Sequence, residues 1–420
     1  MCNKKGVFVN YQMAEAIELL SKYDLSIPEQ KEKAEITLLE LKKKWTNIDK
    51  VIGYGVNMPK LAGMQEISLE EIKNISNDIK NVDEYSTECM ANMQYCMKRD
   101  TDGTISFDFS HFRKIAKLAR QNGKKLVIDS AIAFGDRFPE NMEDMSKKDV
   151  CLAIAEYTKE LTSEFGDCIE RIDVLNSIFQ RQDVTNTNRT MTSESYWKEL
   201  FGENYGKEIL DIVKKNSNNP NIKLGWNEFY LTHDDKKRKD FLEQLDTLDS
   251  LDVIGLQDAF RADEPCEKIN SALEEIANAC KNHDKKISVT ELSAKIGRSD
   301  IENLNKAMKN GTYSEQKANL EQRIENVINT INNFSERNYD LVDSVHSRYS
   351  DSYDCNHIEC LEYGHDIHTA PNTYSRSNIL LSGKEAIETF TTTSQIEYQR
   401  KNIKELSKVK NIISIEEKSI

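Results

Sequence analysis

The sequence predicts an α/β fold, a (β/α)8 TIM barrel with an N-terminal helical extension, on three observations. About eight short apolar runs alternate with segments whose apolar residues recur at helical spacing, the rhythm of parallel βαβ units. Polar residues close several of these runs, as they do at the working end of a barrel. The first strand-to-helix turn offers only Gly53-Tyr54-Gly55 and no Gly-x-Gly-x-x-Gly fingerprint, which argues against a doubly wound dinucleotide sheet.

The elements follow in order. Ser26-Ile27-Pro28-Glu29 has the form of a capping box, and apolar residues then recur among Glu and Lys as far as Trp45, so a helix is expected. Val51 to Val56 reads as the first strand and Val82 to Ser86 as the second. A helix from His111 to Gln121, closed by Asn122-Gly123, leads to the strand Lys125 to Ile128. Val150 to Phe165 leads to Ile169 to Leu175, Tyr205 to Lys215 to Ile222 to Trp226, and Lys237 to Leu248 to Val253 to Leu256. Ile269 to Asn282 precedes Ile287 to Thr290, and Gln316 to Asn332 precedes a weaker strand from Leu341 to Val345. This divides the chain into a helical extension (1–48), a barrel (49–390) and a C-terminal helix with a charged tail (391–420).

Composition narrows the partners. The 420 residues carry 57 basic and 71 acidic side chains, a net charge of −14, which disfavours nucleic acid because phosphate binding needs a basic face. No apolar run approaches the roughly 20 residues that span a bilayer, so no membrane partner is expected. Polar residues interrupt the N-terminus before a secretory signal can build, which predicts a cytoplasmic chain, or an extracellular one if it is part of something longer. Nine cysteines without framework spacing read as reduced thiols. No feature calls for a cofactor or fixes an oligomeric state.

The residues that end the runs are the site candidates: Asp129-Ser130, Asn176-Ser177, Asn227-Glu228, Gln257-Asp258 and Glu291. Glu291 follows Ile287-Ser288-Val289-Thr290, where a buried strand would favour another apolar residue. A carboxylate there projects into a site or toward solvent, or simply closes the strand.

Val289-Thr290-Glu291-Leu292-Ser293 resembles the seventh-strand Ile-Thr-Glu-Leu-Asp of glycoside hydrolase family 10, the retaining β-1,4-xylanase family with a (β/α)8 barrel. Leu251 to Gln257 resembles its sixth-strand Ile-Asp-Gly-Ile-Gly-Leu-Gln, and Leu224 to Phe229 its fifth-strand Asn-Asp-Tyr segment. Ile172-Asp173-Val174-Leu175-Asn176 resembles the fourth-strand Trp-Asp-Val-Val-Asn, and Gly103 to Phe109 with Ala119 to Gly123 the stretch before the third strand. The matches fall in family order across residues 50 to 385. The resemblance implies that Glu291 is the nucleophile, that a β-linked oligosaccharide or polysaccharide is the ligand, and that Asn176, Gln257, Glu88, Asp129, Trp226 and Asn227 are sugar-contact candidates.

The departures are equally specific. Ser177 stands where the family has its acid/base Glu, Asp129 where it has His, and Ala259 where it has another His. The second-strand Glu-Asn-x-x-Lys appears as Glu88-Cys89-Met90-Ala91-Asn92, and His346-Ser347-Arg348-Tyr349 occupies the region of the eighth-strand Trp-Gly. A retaining glycosidase needs two carboxyl groups about 5–5.5 Å apart. A serine hydroxyl cannot protonate a leaving oxygen and later deprotonate water, so Glu228 is the first candidate for a substitute acid, with Asp129 and Asp258 behind it. The function expected is an endo-xylanase-like hydrolase with impaired or altered chemistry; the alternative is an inactive barrel that binds carbohydrate or another partner.

Cys355, His357, Cys360, His365 and His368 bring zinc-type ligands together in a short stretch. Their spacing matches no standard finger, and the interspersed Tyr, Asp and Glu suit an ordinary polar loop, so no metal is expected.

Overall fold

The computed structural model describes residues 4–51, 68–88, 90–135, 142–179, 193–257, 259–261, 264–295, 303, 306–307, 311–347 and 373–374. Eight parallel strands form its sheet: β1 (Lys4–Phe8), β2 (Glu84–Glu88), β3 (Lys125–Phe134), β4 (Ile169–Asn176), β5 (Lys223–Glu228), β6 (Val253–Leu256), β7 (Lys286–Lys295) and β8 (Val342–Ser347). Each pairs with the next, β8 returns to β1, and the pairing closes the barrel.

Helices of eight or more residues alternate with most of these strands. In chain order they are α1 (Tyr11–Leu20), α2 (Pro28–Val51), α3 (Leu69–Asp78), α4 (Ser110–Asn122), α5 (Lys147–Phe165), α6 (Ser193–Phe201), α7 (Tyr205–Asn216), α8 (Asp235–Leu242), α9 (Cys266–Asn282) and α10 (Tyr313–Arg337). Their ends follow local chemistry. The Ser146 hydroxyl accepts from the Asp149 N–H at the start of α5, and Gly123 ends α4 in the left-handed region at φ 64°. No helix among the described residues is long and apolar enough to cross a membrane.

The expected first strand is corrected. The strand that opens the sheet is Lys4–Phe8, inside the segment expected to be only helical; it runs parallel to β2 and β8 with Gly6 opposite both Glu84 and His346. Val51 instead ends α2, and the rest of the expected strand, 52–56, lies outside the described residues. The expected boundary near residue 390 and the C-terminal tail also lie outside them.

The chain divides into two compact units. The larger comprises 1–258, 265–292 and 330–349; the smaller comprises 259–264, 293–329 and 350–420. In the smaller unit, Ala259–Arg261 runs parallel to Ser293–Lys295, the last residues of β7, which also pair antiparallel with Thr373–Tyr374.

The barrel interior of the larger unit contains a polar layer. Arg171 donates to Asp173 through Nε (2.9 Å) and Nη2 (3.2 Å), and through Nη1 to Ser344 Oγ (3.2 Å). Strands β4 and β8 are not neighbours, so this bond crosses the interior. His346 Nε2 lies 2.6 Å from Glu84 Oε1, spanning the β1 strand between them, where Gly6 is the register partner of both. Burial alone would raise the Glu84 carboxyl, but the His346 hydrogen bond and the His346, Arg171 and Lys4 charges outweigh it and bring it down to about 2.

Candidate functional site

Above that layer, the C-terminal strand ends carry a second polar network. Asn176 Nδ2 at the end of β4 donates to Asp129 Oδ1 on β3 at 2.7 Å. Asn227 Nδ2 on β5 reaches the same carboxylate at 3.3 and 3.4 Å, and Thr290 Oγ1 on β7 donates to Asn227 Oδ1 at 2.6 Å. The bonds from Asn227 to Asp129 and from Thr290 to Asn227 each skip a strand, so these side chains meet inside the barrel.

Two local features allow this. The β4–β5 pairing shifts register between Asp173 and Leu175, so Asp173 and Asn176, three residues apart, both face inward despite the period of two. Gly255 on β6 lies beside Asn227, and a Cβ there would come within 2.5 Å of Asn227 Oδ1. Glycine is the residue that leaves space for the amide.

Ser177 follows Asn176 with φ at 51°, a left-handed conformation uncommon for residues other than glycine. Its N–H donates to Asn227 O at 2.9 Å, and its hydroxyl donates to Asn176 Oδ1 at 2.9 Å. The Gln257 side-chain amide also contacts Ser177 Oγ. A hydroxyl has one proton to give, and Asn176 Oδ1 and Gln257 Oε1 are both placed to accept it.

Glu88 and Glu291 enter this zone through their backbones. Glu88 is opposite Asp129 in the β2–β3 register, and Glu291 sits in β7 directly after Thr290. The structure therefore brings Asp129, Asn176, Ser177, Asn227 and Gln257 into one network, with the Glu88 and Glu291 positions on flanking strands. Sequence reasoning passed over Thr290 as a site residue; its signal was a hydroxyl directly before Glu291 in an apolar run.

Glu228 and Trp226 are corrected. Alternation along β5 turns both away from Asn227, toward the covering helices. Glu228 is fully buried and accepts from Ile178 N (3.1 Å), Phe179 N (2.9 Å), Phe229 N (3.0 Å), Trp226 Nε1 (3.3 Å) and Lys237 Nζ (2.8 Å). These five donors, one of them the buried Lys237 ammonium, tie the β4 loop to α8 and hold the carboxylate on the helix side of the strand, away from the polar network. Trp226 packs against Tyr205, Phe179 and Phe241 as a core residue, out of reach of a sugar.

Asp258 and the cluster Cys355, His357, Cys360, His365 and His368 lie outside the described residues. Among the described residues, no three His, Cys, Asp or Glu side chains are arranged to hold a metal.

Comparison with known proteins bears on this geometry. No curated protein matches the sequence. Solved structures share the fold: native xylanase 10B from Thermotoga maritima superposes with a TM-score of 0.54 at 14% identity, covering 78% of this chain and 92% of that one. A psychrophilic glycoside hydrolase family 10 endo-β-1,4-xylanase gives 0.51 at 14% identity, covering 82% and 85%. A mutant protein solved in complex with xylotriose gives 0.52 at 16% identity, covering 82% and 84%. The sequence description of Glycosyl hydrolase family 10 matches residues 48–346, most of the chain and every network residue from Glu88 to Glu291. The chain belongs to glycosyl hydrolase family 10.

Proposed function

We propose that this glycosyl hydrolase acts on a xylan-related β-glycan by a retaining route in which Glu291 attacks the anomeric carbon, with no carboxyl group at position 177 to protonate the leaving oxygen. The observation that carries this reading is the environment of Ser177. Its hydroxyl is committed to Asn176 and Gln257, and the neighbouring Glu228 is locked behind the strand by five donors. The xylotriose complex and the xylanases among the structural neighbours support the sugar class.

The chemistry sets a clear preference. Forming the glycosyl–enzyme bond expels the aglycone, and an alkoxide leaves slowly without a proton. General acid assistance is worth about 10² to 10⁴ in rate, so polymer cleavage is weak while aryl glycosides, whose phenolates leave unaided, still react. Asp129 and Asn176 are placed to meet sugar hydroxyls, and the fully buried Asn227 positions Asp129 from beneath.

The test compares xylan with an aryl xylobioside for the wild type, Ser177→Glu and Glu291→Ala. Aryl cleavage should vanish in Glu291→Ala, and xylan cleavage should rise by about tenfold or more in Ser177→Glu. Position 177 already carries a Cβ in the left-handed region, so the longer side chain adds no new backbone cost. The same Ser177 environment favours a second reading, a barrel that binds glycan without turnover. Oligosaccharide binding with no aryl cleavage by any variant would select it.

A further inference from the structure

We infer that the solvent face of α2 is a self-association surface, which packs antiparallel against the same face of a second copy of this chain. The helix has two opposed apolar faces. Ala34, Leu38 and Trp45 form the inner one, and Trp45 Nε1 donates to Glu15 Oε2 of α1 at 2.6 Å. At 100° per residue, Ile36 and Leu39 lie on the opposite side, and each is 55% exposed. Among the described residues, the other exposed large hydrophobics are Ile27, directly before α2, and Leu152 and Tyr339, which are isolated elsewhere. Ile36 and Leu39, three residues apart, are adjacent on the helix surface.

The charges beside this pair identify the occupant. Glu29 and Glu32 precede it on the same face, and Lys43 follows it; all three are exposed. Antiparallel pairing about the midpoint of Ile36 and Leu39 sets Ile36 against the partner's Leu39, and Glu32 against the partner's Lys43. In a two-fold interface each contact occurs twice. Parallel pairing would oppose Glu32 to its own copy, so the sequence of α2 complements itself in one orientation only. Its apolar patch is small beside the roughly 800 Å² per partner of a stable complex, so the dimer is weak and forms at high protein concentration.

Sedimentation velocity on the full chain over a concentration series tests this, with helix content by circular dichroism as the folding control. The wild type should show a concentration-dependent dimer that weakens as salt rises. Ile36→Ser with Leu39→Ser should abolish it. Glu32→Lys or Lys43→Glu alone should each weaken it by roughly tenfold, since two attractive pairs become repulsive. The double reversal should restore it, a result that self-pairing alone produces. A wild type monomeric at every concentration, or a dimer indifferent to these substitutions, overturns the inference.

Discussion

Adjacent polar residues at a strand end can do opposite jobs, and Asn227 and Glu228 show it. Asn227 faces the barrel interior and holds Asp129; Glu228 faces the helices and holds Lys237, with both Glu228 and Lys237 buried. Removing one partner of a buried pair leaves the other uncompensated, at a typical cost of about 3–5 kcal/mol. Glu228→Gln should therefore lower the urea midpoint by a corresponding amount while the folded fraction keeps its aryl-glycosidase rate. Lys237→Met should do the same, and the double variant should lose less than the sum. A Glu228→Gln protein of normal stability but without activity would restore Glu228 as the acid.

At the scale of elements, two glycines in β5 and β6 let polar side chains lie flat inside the barrel. A Cβ at Gly225 would fall 1.9 Å from Asp173 Oδ1, so Gly225→Ala must push Asp173 off Arg171 and break a buried ion pair. Expected is loss of soluble protein, or a melting temperature well below the wild type, measured by calorimetry. β6 was legible because both of its faces are covered, which makes Val253-Ile254-Gly255-Leu256 a continuous apolar run. The same coverage hid the site's orientation: with no alternation of polar and apolar residues, nothing in Trp226-Asn227-Glu228 tells which side chains face in, and the register shift in β4 cannot be read at all. β1 escaped notice because Lys4-Lys5-Gly6-Val7-Phe8 is half polar; its pairing with β2 and β8, not its composition, makes it a strand. Val51 was misassigned because an apolar residue at a helix end looks like one opening a strand.

For the whole molecule, an acidic protein of net charge −14 should be steadied by keeping its carboxylates ionised, because so many hold a cation. Burial works to raise Glu15 and Glu170, but hydrogen bonds and charges from Lys114, Trp45 and Lys44 at Glu15, and from Lys4 and Lys223 at Glu170, bring both below the ordinary carboxylate range. Glu84 is the largest buried case. A folded value below the unfolded one gives stability that is fully present above the unfolded value and is lost as pH falls through the folded one. For Glu84, a drop from 4.5 to about 2 corresponds to about 3 kcal/mol, lost progressively between about pH 5 and pH 2. Asp173 runs the other way: burial raises its carboxyl by more than the Arg171 charge and hydrogen bond pull it back, so it gains a proton more readily when folded and offsets part of the loss. Since Glu15 and Glu170 act with Glu84, the melting temperature should hold near neutrality and fall steeply below about pH 4.5. Glu84→Gln should lower the neutral plateau and flatten this acid limb, because the neutral amide has no proton to take up. A thermal melt series from pH 7 to pH 3 on both proteins decides it: parallel acid limbs would mean that the His346–Glu84 pair inside the barrel does not govern acid stability.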